Sequence, residues 1–253
     1  MGGVVGIILI FVMVFGGYTL AGGKMGIILA ALPYEMMMIL GAAIGAFLIS
    51  NPGPVIKHVL GDMKKVFGGA KWHASDVTDA LCLLFELVRI AKSAPVSLEE
   101  HIEDPQGSSI FSRYPKLQAD RTTIEMICDT MRAASMNYDD PNQVEEVLDK
   151  QLETKLHHAM HSSHAVQVMA DGLPALGIVA AVLGVIKTMA SIDKPPEVLG
   201  KMIGGALVGT FLGVFLAYGF VGPFAAKVKS VVEEEHQFYK ILREVLVAFL
   251  HKH

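Results

Sequence analysis

The chain has 253 residues, of which 52% are hydrophobic and only 18% charged, and its mean hydropathy is +0.47. Soluble domains carry roughly 25% charged residues. With a net charge of -4, two cysteines and no short period, the composition excludes a disordered chain, a disulfide scaffold, a fibrous repeat and a nucleic-acid-binding surface.

The apolar residues fall into four blocks. The first runs from Val4 to Ala21, inside a stretch free of charge from Met1 to Gly23. The second, Met36 to Ser50, is flanked by Glu35. The third is uncharged from Gly172 to Ile186 and resumes at Thr188–Ala190, and the fourth, Met202 to Ala226, holds 25 residues without a charge. A membrane-crossing helix needs about 20 mainly apolar residues, so four transmembrane helices are expected. Met1-Gly2-Gly3 lacks the basic start of a signal peptide and Tyr18-Thr19-Leu20-Ala21 is a poor cleavage site, so the first block is expected as a retained span.

Basic residues set the expected orientation. Twelve Lys and Arg lie between Lys57 and Lys155 and five follow the fourth block, against four in the remaining connections. The positive-inside rule then puts the large loop, the tail and the N-terminus in the cytoplasm. Cys82 and Cys128 fall in that loop and are expected as packed or free thiols.

The loop itself reads as helical. Val77, Ala80, Leu81, Leu84, Phe85 and Val88 recur at helical spacing, which predicts a helix over His73–Lys92 capped near Ser75 or Asp76. Ser97-Leu98-Glu99-Glu100 has the form of a capping box. A further helix is predicted over Asp120–Asn137, with Ile124, Ile127, Met131 and Ala134 on one face. Pro141 opens a long pattern that leads straight into the third span, and the fourth span continues through Val228–Leu250. The expected fold is an all-α membrane protein, with four transmembrane helices and a large helical cytoplasmic domain between spans two and three. Its segments are 1–50 (spans one and two), 51–170 (cytoplasmic domain), 171–226 (spans three and four) and 227–253 (helical tail).

Small residues recur in the spans at Gly41-xxx-Gly45, Gly200-xxx-Gly204 and Gly205-xxx-Gly209-xxx-Gly213. Lipid supplies little hydrophobic drive between helices, so such stripes favour close backbone approach, within the chain or between subunits. Chemistry-bearing motifs are absent. There is no Gly-rich phosphate loop, no Cys/His metal spacing and no nucleophile motif, so no enzyme, cofactor or metal site is expected. His157, His161 and His164 share a helix face, expected to be solvated rather than metal-binding. No Asp, Glu, Lys or Arg is read within the membrane core, so any carboxylate on an ion path is expected from a partner.

Phe15-Gly16-Gly17-Tyr18, Ser97-Leu98-Glu99, Phe111-Ser112-Arg113-Tyr114-Pro115, the run from Leu173-Pro174-Ala175 to Gly184 and the run from Val208-Gly209-Thr210 to Phe220 closely resemble, in order, the MotA family of flagellar stator A subunits. The resemblance implies a ring of A subunits, five around two by family expectation, enclosing MotB in the lipid bilayer. MotB would bring the proton-binding Asp and a peptidoglycan anchor, and ion passage would turn the ring against the rotor protein FliG. Matched residue by residue, the family implies Pro174 and Pro223 for conformational coupling and Ala181 and Thr210 on the ion path. Glu99 matches the rotor-facing acid. The family's basic partner falls at Ala91 here, which points to Lys92 or Arg89 beside it.

Structural roles compete for each residue. Asp171 is a candidate N-cap that would make Pro174 a first-turn residue, Pro223 suits a helix end, and Thr210 suits a bond to a carbonyl one turn back. Depths of about 12 Å for Thr210 and about 14 Å for Ala181 from the ends of their apolar runs put both near the bilayer middle. In relatives driven by sodium both pore positions tend to be Thr. Ala181 offers no oxygen, so the resemblance implies a proton-driven stator. The alternative reading is an energy transducer of the ExbB/TolQ kind.

Overall fold

A computed structural model describes residues 2–63, 65–136 and 140–251, and among them all regular structure is helical. The main helices are α1 (Gly2–Leu20), α2 (Met25–Ser50), α3 (Gly53–Asp62), α4 (Ala74–Ser93), α5 (Pro95–Glu103), α6 (Arg121–Ser135), α7 (Pro141–Met189) and α8 (Pro196–Leu250). Four of them, α1, α2, α7 and α8, are long and apolar enough to cross a membrane. In hydrocarbon every backbone group must be satisfied within the segment, which is why helices rather than loops carry these runs.

The second span is longer than its apolar run. α2 begins at Met25, and Glu35 is buried about 15 Å along it at 1.5 Å per residue. The expectation of a membrane core without a charged residue therefore fails at Glu35. Pro33 and Glu35 look like a boundary, but the helix runs through both because no water is at hand to satisfy a broken turn.

The chain divides into two compact units: Met1–Gly69 with Met160–Ser230, and Ala70–Ala159 with Val231–His253. In the first, Ile39, Ala43, Leu173, Ala180, Val208 and Leu212 form the buried centre where α2, α7 and α8 meet. A smaller cluster joins Val59 to Ala165, Val166 and Ala225. Ser162 donates to Asp62, and Ser163 donates to the Ala225 carbonyl at 2.9 Å, so the polar groups there are satisfied. α1 has no residue buried by this chain, as befits a segment whose surroundings are lipid or another subunit. α8 is interrupted by a π turn over Ala217–Val221, immediately before Pro223. A proline ring inside a helix presses on the carbonyl four residues back, here Gly219, and an inserted π turn relieves that clash.

The second unit is built around an apolar core. Leu83, Leu84 and Leu87 of α4, Ile127 and Met131 of α6, Leu148 and Leu152 of α7, and Phe238, Leu242 and Leu246 of α8 fill it. Trp72 stacks on Phe238 with ring centroids 4.0 Å apart. Asp120 caps α6, accepting from the Thr123 amide at 2.9 Å, Lys71 at 2.6 Å and the Tyr239 hydroxyl at 3.1 Å. Burial alone opposes its ionisation, but the bonds from Lys71 and Thr123 prevail and hold the carboxyl below its usual range.

One local start meets expectation and one differs. α4 begins after His73, whose amide donates to the Asp76 carboxylate at 2.7 Å, so Asp76 acts from inside the first turn. Ser97 does not cap a helix. α5 starts two residues earlier, at Pro95 after Ala94, because the fixed φ of proline suits the first helical position. α6 ends at Ser135, and Asn137 of the predicted range lies outside the described residues.

Cys82 is exposed, whereas Cys128 is buried and its thiol is pushed up to about 12 by burial. Only a thiolate reacts with maleimide at useful rates. Maleimide treatment of the native protein, read by peptide mass spectrometry, is expected to modify Cys82 and leave Cys128 intact until denaturant is added. Replacing Asp120 with Asn should destabilise the second unit by about 2 kcal/mol, since it weakens a buried hydrogen-bonded group. The Asp120 carboxyl is depressed on folding, so its contribution is present above the ordinary carboxylate range and disappears as pH falls through the folded value. Thermal unfolding followed from pH 7, about three units above the ordinary Asp value, to pH 3, about one unit below it, should show the gap between wild type and D120N narrowing towards the acid end.

Candidate functional site

Two helices of the first unit approach each other as closely as their backbones allow. A methyl placed on Gly177 of α7 would lie 2.7 Å from the Gly209 carbonyl oxygen and 2.9 Å from the Gly213 Cα of α8. One on Gly184 would lie 2.6 Å from the Ala206 Cβ, and one on Gly209 would lie 3.2 Å from the Ala181 nitrogen. Gly177 with Gly213, Ala181 with Gly209 and Gly184 with Ala206 thus form an antiparallel seam of small residues. The stripe Gly205-xxx-Gly209-xxx-Gly213 is used within the chain at Gly209 and Gly213, whereas among the described residues nothing beyond the local helix backbone comes within 4 Å of a methyl on Gly41, Gly45 or Gly200. Their partners in the seam, Gly177 and Gly184, carry no stripe of their own spacing.

Of the predicted path residues, Ala181 is buried in this seam, and Thr210, half-buried, follows Gly209 in the chain. Thr210 makes no side-chain hydrogen bond among the described residues, unlike Thr188, which bonds the Gly184 carbonyl at 2.9 Å. Pro174 lies deep inside the continuous α7, not in a first turn. Asp171 does not cap a helix there, because the helix already runs through it and its carboxylate accepts from Gln167 at 2.8 Å. Pro223 is exposed just beyond the π turn.

Glu35 is the residue that sequence reasoning missed. It is 6% exposed, and its Oε2 has no hydrogen-bond partner. That oxygen lies where Gly209 lacks a side chain, 2.5 Å from the position a methyl would take. Glu35, Ile39 and Ala43 are the buried residues of α2, at i, i+4 and i+8, and this inward stripe was the available signal. Glu35 also lines a cleft of about 820 Å³ between α2, α7 and α8, whose far end holds Lys24, Lys187 and Lys201.

In the second unit, Arg89 and Lys92 stand exposed near the end of α4 and Glu99 stands exposed on the adjoining α5. None of the three makes an ion pair among the described residues, whereas neighbouring Glu86 pairs with Arg113. His157, His161 and His164 are all exposed. Among the described residues no group of three or more His, Cys, Asp or Glu has a geometry that holds a metal ion.

Residues 4–95 match the family described as motility protein A N-terminal, and residues 118–240 match the MotA/TolQ/ExbB proton channel family. The helical membrane architecture and its small-residue seam therefore belong to a channel-forming subunit. Motility protein A of Escherichia coli strain K12 is 35% identical over 97% of this chain and 83% of its own length, and the chain belongs to the motility protein A family. Chemotaxis protein LafT of Vibrio parahaemolyticus is also 35% identical, over 98% of this chain and 86% of its length. A solved structure of Campylobacter jejuni MotAB shares the fold with a TM-score of 0.77 at 19% identity, covering 98% of this chain and 88% of that one. Family membership assigns the chain to the flagellar stator subunits and favours that reading over an ExbB/TolQ-like transducer.

The seam makes a contrast between glycines testable. Gly177→Ala forces backbone apart and should cost about 2 kcal/mol or more, seen as loss of folded protein in the membrane and of motility. Gly200→Ala meets open space and should leave both unchanged.

Proposed function

We propose that the chain is the A-type subunit of a proton-driven flagellar stator. The observation that carries this reading is the 35% identity to a motility protein A along nearly the whole chain. Several copies would form a ring, five around two by family expectation, about a MotB-type partner in the inner membrane, with both termini in the cytoplasm. That partner would supply a single span, the proton-binding Asp and a peptidoglycan anchor.

The residues fit distinct roles in such a machine. Thr210 offers a hydroxyl to an ion at mid-membrane, and Ala181 opposite offers only a methyl. A sodium ion needs several oxygens in place of its water shell, whereas a proton needs one carboxylate and a chain of water, so the ion is a proton. Pro174 and the π turn before Pro223 each interrupt the hydrogen-bond ladder of a continuous helix, which makes those points the pivots where ion release is converted into movement. Glu99, with Lys92 and Arg89, presents unpaired charge to the rotor protein FliG, where complementary charge sets register and speed of docking more than affinity.

The reading is tested by restoring motility to a host lacking its stator, using this chain with its partner. Swimming should survive replacement of sodium by potassium at fixed pH and stop with a protonophore; dependence on sodium would contradict the proton assignment. Ala181→Thr is expected to slow the motor without lowering the assembled complex. Glu99→Lys should weaken swimming at unchanged membrane level, because an exposed charge adds little stability, and a reversed charge on the rotor should restore part of the loss.

A further inference from the structure

A carboxyl buried in a membrane helix is costly unless it is paired or serves an ion path. Glu35 is not paired. Among the described residues its Oε2 has no partner, and none of the three lysines that line the same cleft forms an ion pair with it. Lys201 instead binds Glu197 at 2.9 Å, and all three lysines are exposed at the cleft's outer end. There they sit just before α2, in the last turn of α7 and in the second turn of α8, the level at which lysine stems reach back to an aqueous interface. From that end the cleft descends between Ile27, Ala31, Leu183 and Met202 to Glu35. Space for the carboxyl is built in, since any side chain at Gly209 would collide with it. The oxygen therefore lies on the seam at the step of Ala181 and Gly209.

We propose that Glu35 is a proton-accepting group of this chain's own, at the foot of an access cleft that opens between Lys24, Lys187 and Lys201. Its carboxylate takes a proton from hydronium carried along the water in the cleft, leaving water and becoming a neutral carboxylic acid, and gives that proton up to the next carboxylate on the path, returning to the anion. On the stator reading, on which the second transfer rests, that acceptor is the acid of the B-type partner. The chain then contributes a relay station to the path rather than a passive wall.

The test uses the complex with its partner in a stator-less host, and membranes prepared from it. Glu35→Gln keeps the shape and removes the titrating oxygen; Glu35→Asp keeps the acid one methylene shorter. Gln is expected to assemble with the partner at wild-type level yet lower swimming speed and proton uptake at least about tenfold, the lower range for loss of a positioned proton carrier, with Asp retaining a measurable fraction. Separately, dicyclohexylcarbodiimide, an apolar reagent that adds to protonated carboxyls, should modify Glu35 of the wild-type complex, located by mass spectrometry. Full speed in the Gln variant overturns the proposal. If that variant fails to assemble, the carbodiimide arm decides, and an unmodified Glu35 overturns it. Failure of the wild type itself to restore swimming would count against the stator reading, while modification of Glu35 would still support a protonatable group at the foot of the cleft.

Discussion

Everything in the first unit depends on how closely two backbones can approach in a solvent that does not push them together. Lipid tails are as apolar as leucine, so α7 and α8 are held by van der Waals contact along Gly177, Ala181 and Gly184 against Gly213, Gly209 and Ala206. Each contact is weak and short-ranged, and one added methyl is enough to remove several. The same absence of side chains makes room for a third helix, because α2 can lay Glu35 against Gly209 only where nothing projects. The two helices of the seam carry Pro174 and, beyond a π turn, Pro223, both on the side away from the lysine-bearing end.

The second unit answers to a different rule. It has an apolar centre built from four helices and a carboxylate held by Lys71, Thr123 and Tyr239. The chain reaches this unit twice, once through the loop and once through the end of α8, whose Phe238, Leu242 and Leu246 complete its core. What a sequence reading describes as a tail is, in packing, part of the domain. Such a body gives the unpaired charges on α4 and α5 a firm base, since Leu87, Leu98 and Ile102 beneath them are fully or nearly fully buried.

Much of this was legible in the residues, and the reasons are physical. Long uncharged runs can only be satisfied as helices in hydrocarbon, so the four spans and the unbroken passage into α7 follow from hydropathy alone. Heptad-like spacing foretold α4, α6 and the continuation of α8. Less was legible where the decisive neighbour lies far away in sequence. Glu35 beside Pro33 reads as the edge of a span until Gly209 is set against it. The helix start at Pro95 rather than Ser97 turned on a competition between a fixed φ and a side-chain cap, which local pattern does not settle. Gly177 and Gly184 show no stripe and declare their role only opposite Gly213 and Ala206. The family resemblance supplied Ala181 and Thr210, and the geometry adds a carboxyl of the chain's own at the step of Ala181 and Gly209.

The central claim is that this step of the seam faces a partner's ion-binding helix. It is tested most directly by cysteine cross-linking in native membranes, with Thr210→Cys in this chain and a cysteine one turn from the acid of the single-span partner. Oxidation is expected to give an A–B cross-link at Thr210→Cys and none at Leu212→Cys, whose wild-type side chain is buried on the opposite face of α8, where α2, α7 and α8 meet. Cross-linking at Leu212→Cys with none at Thr210→Cys would contradict the account.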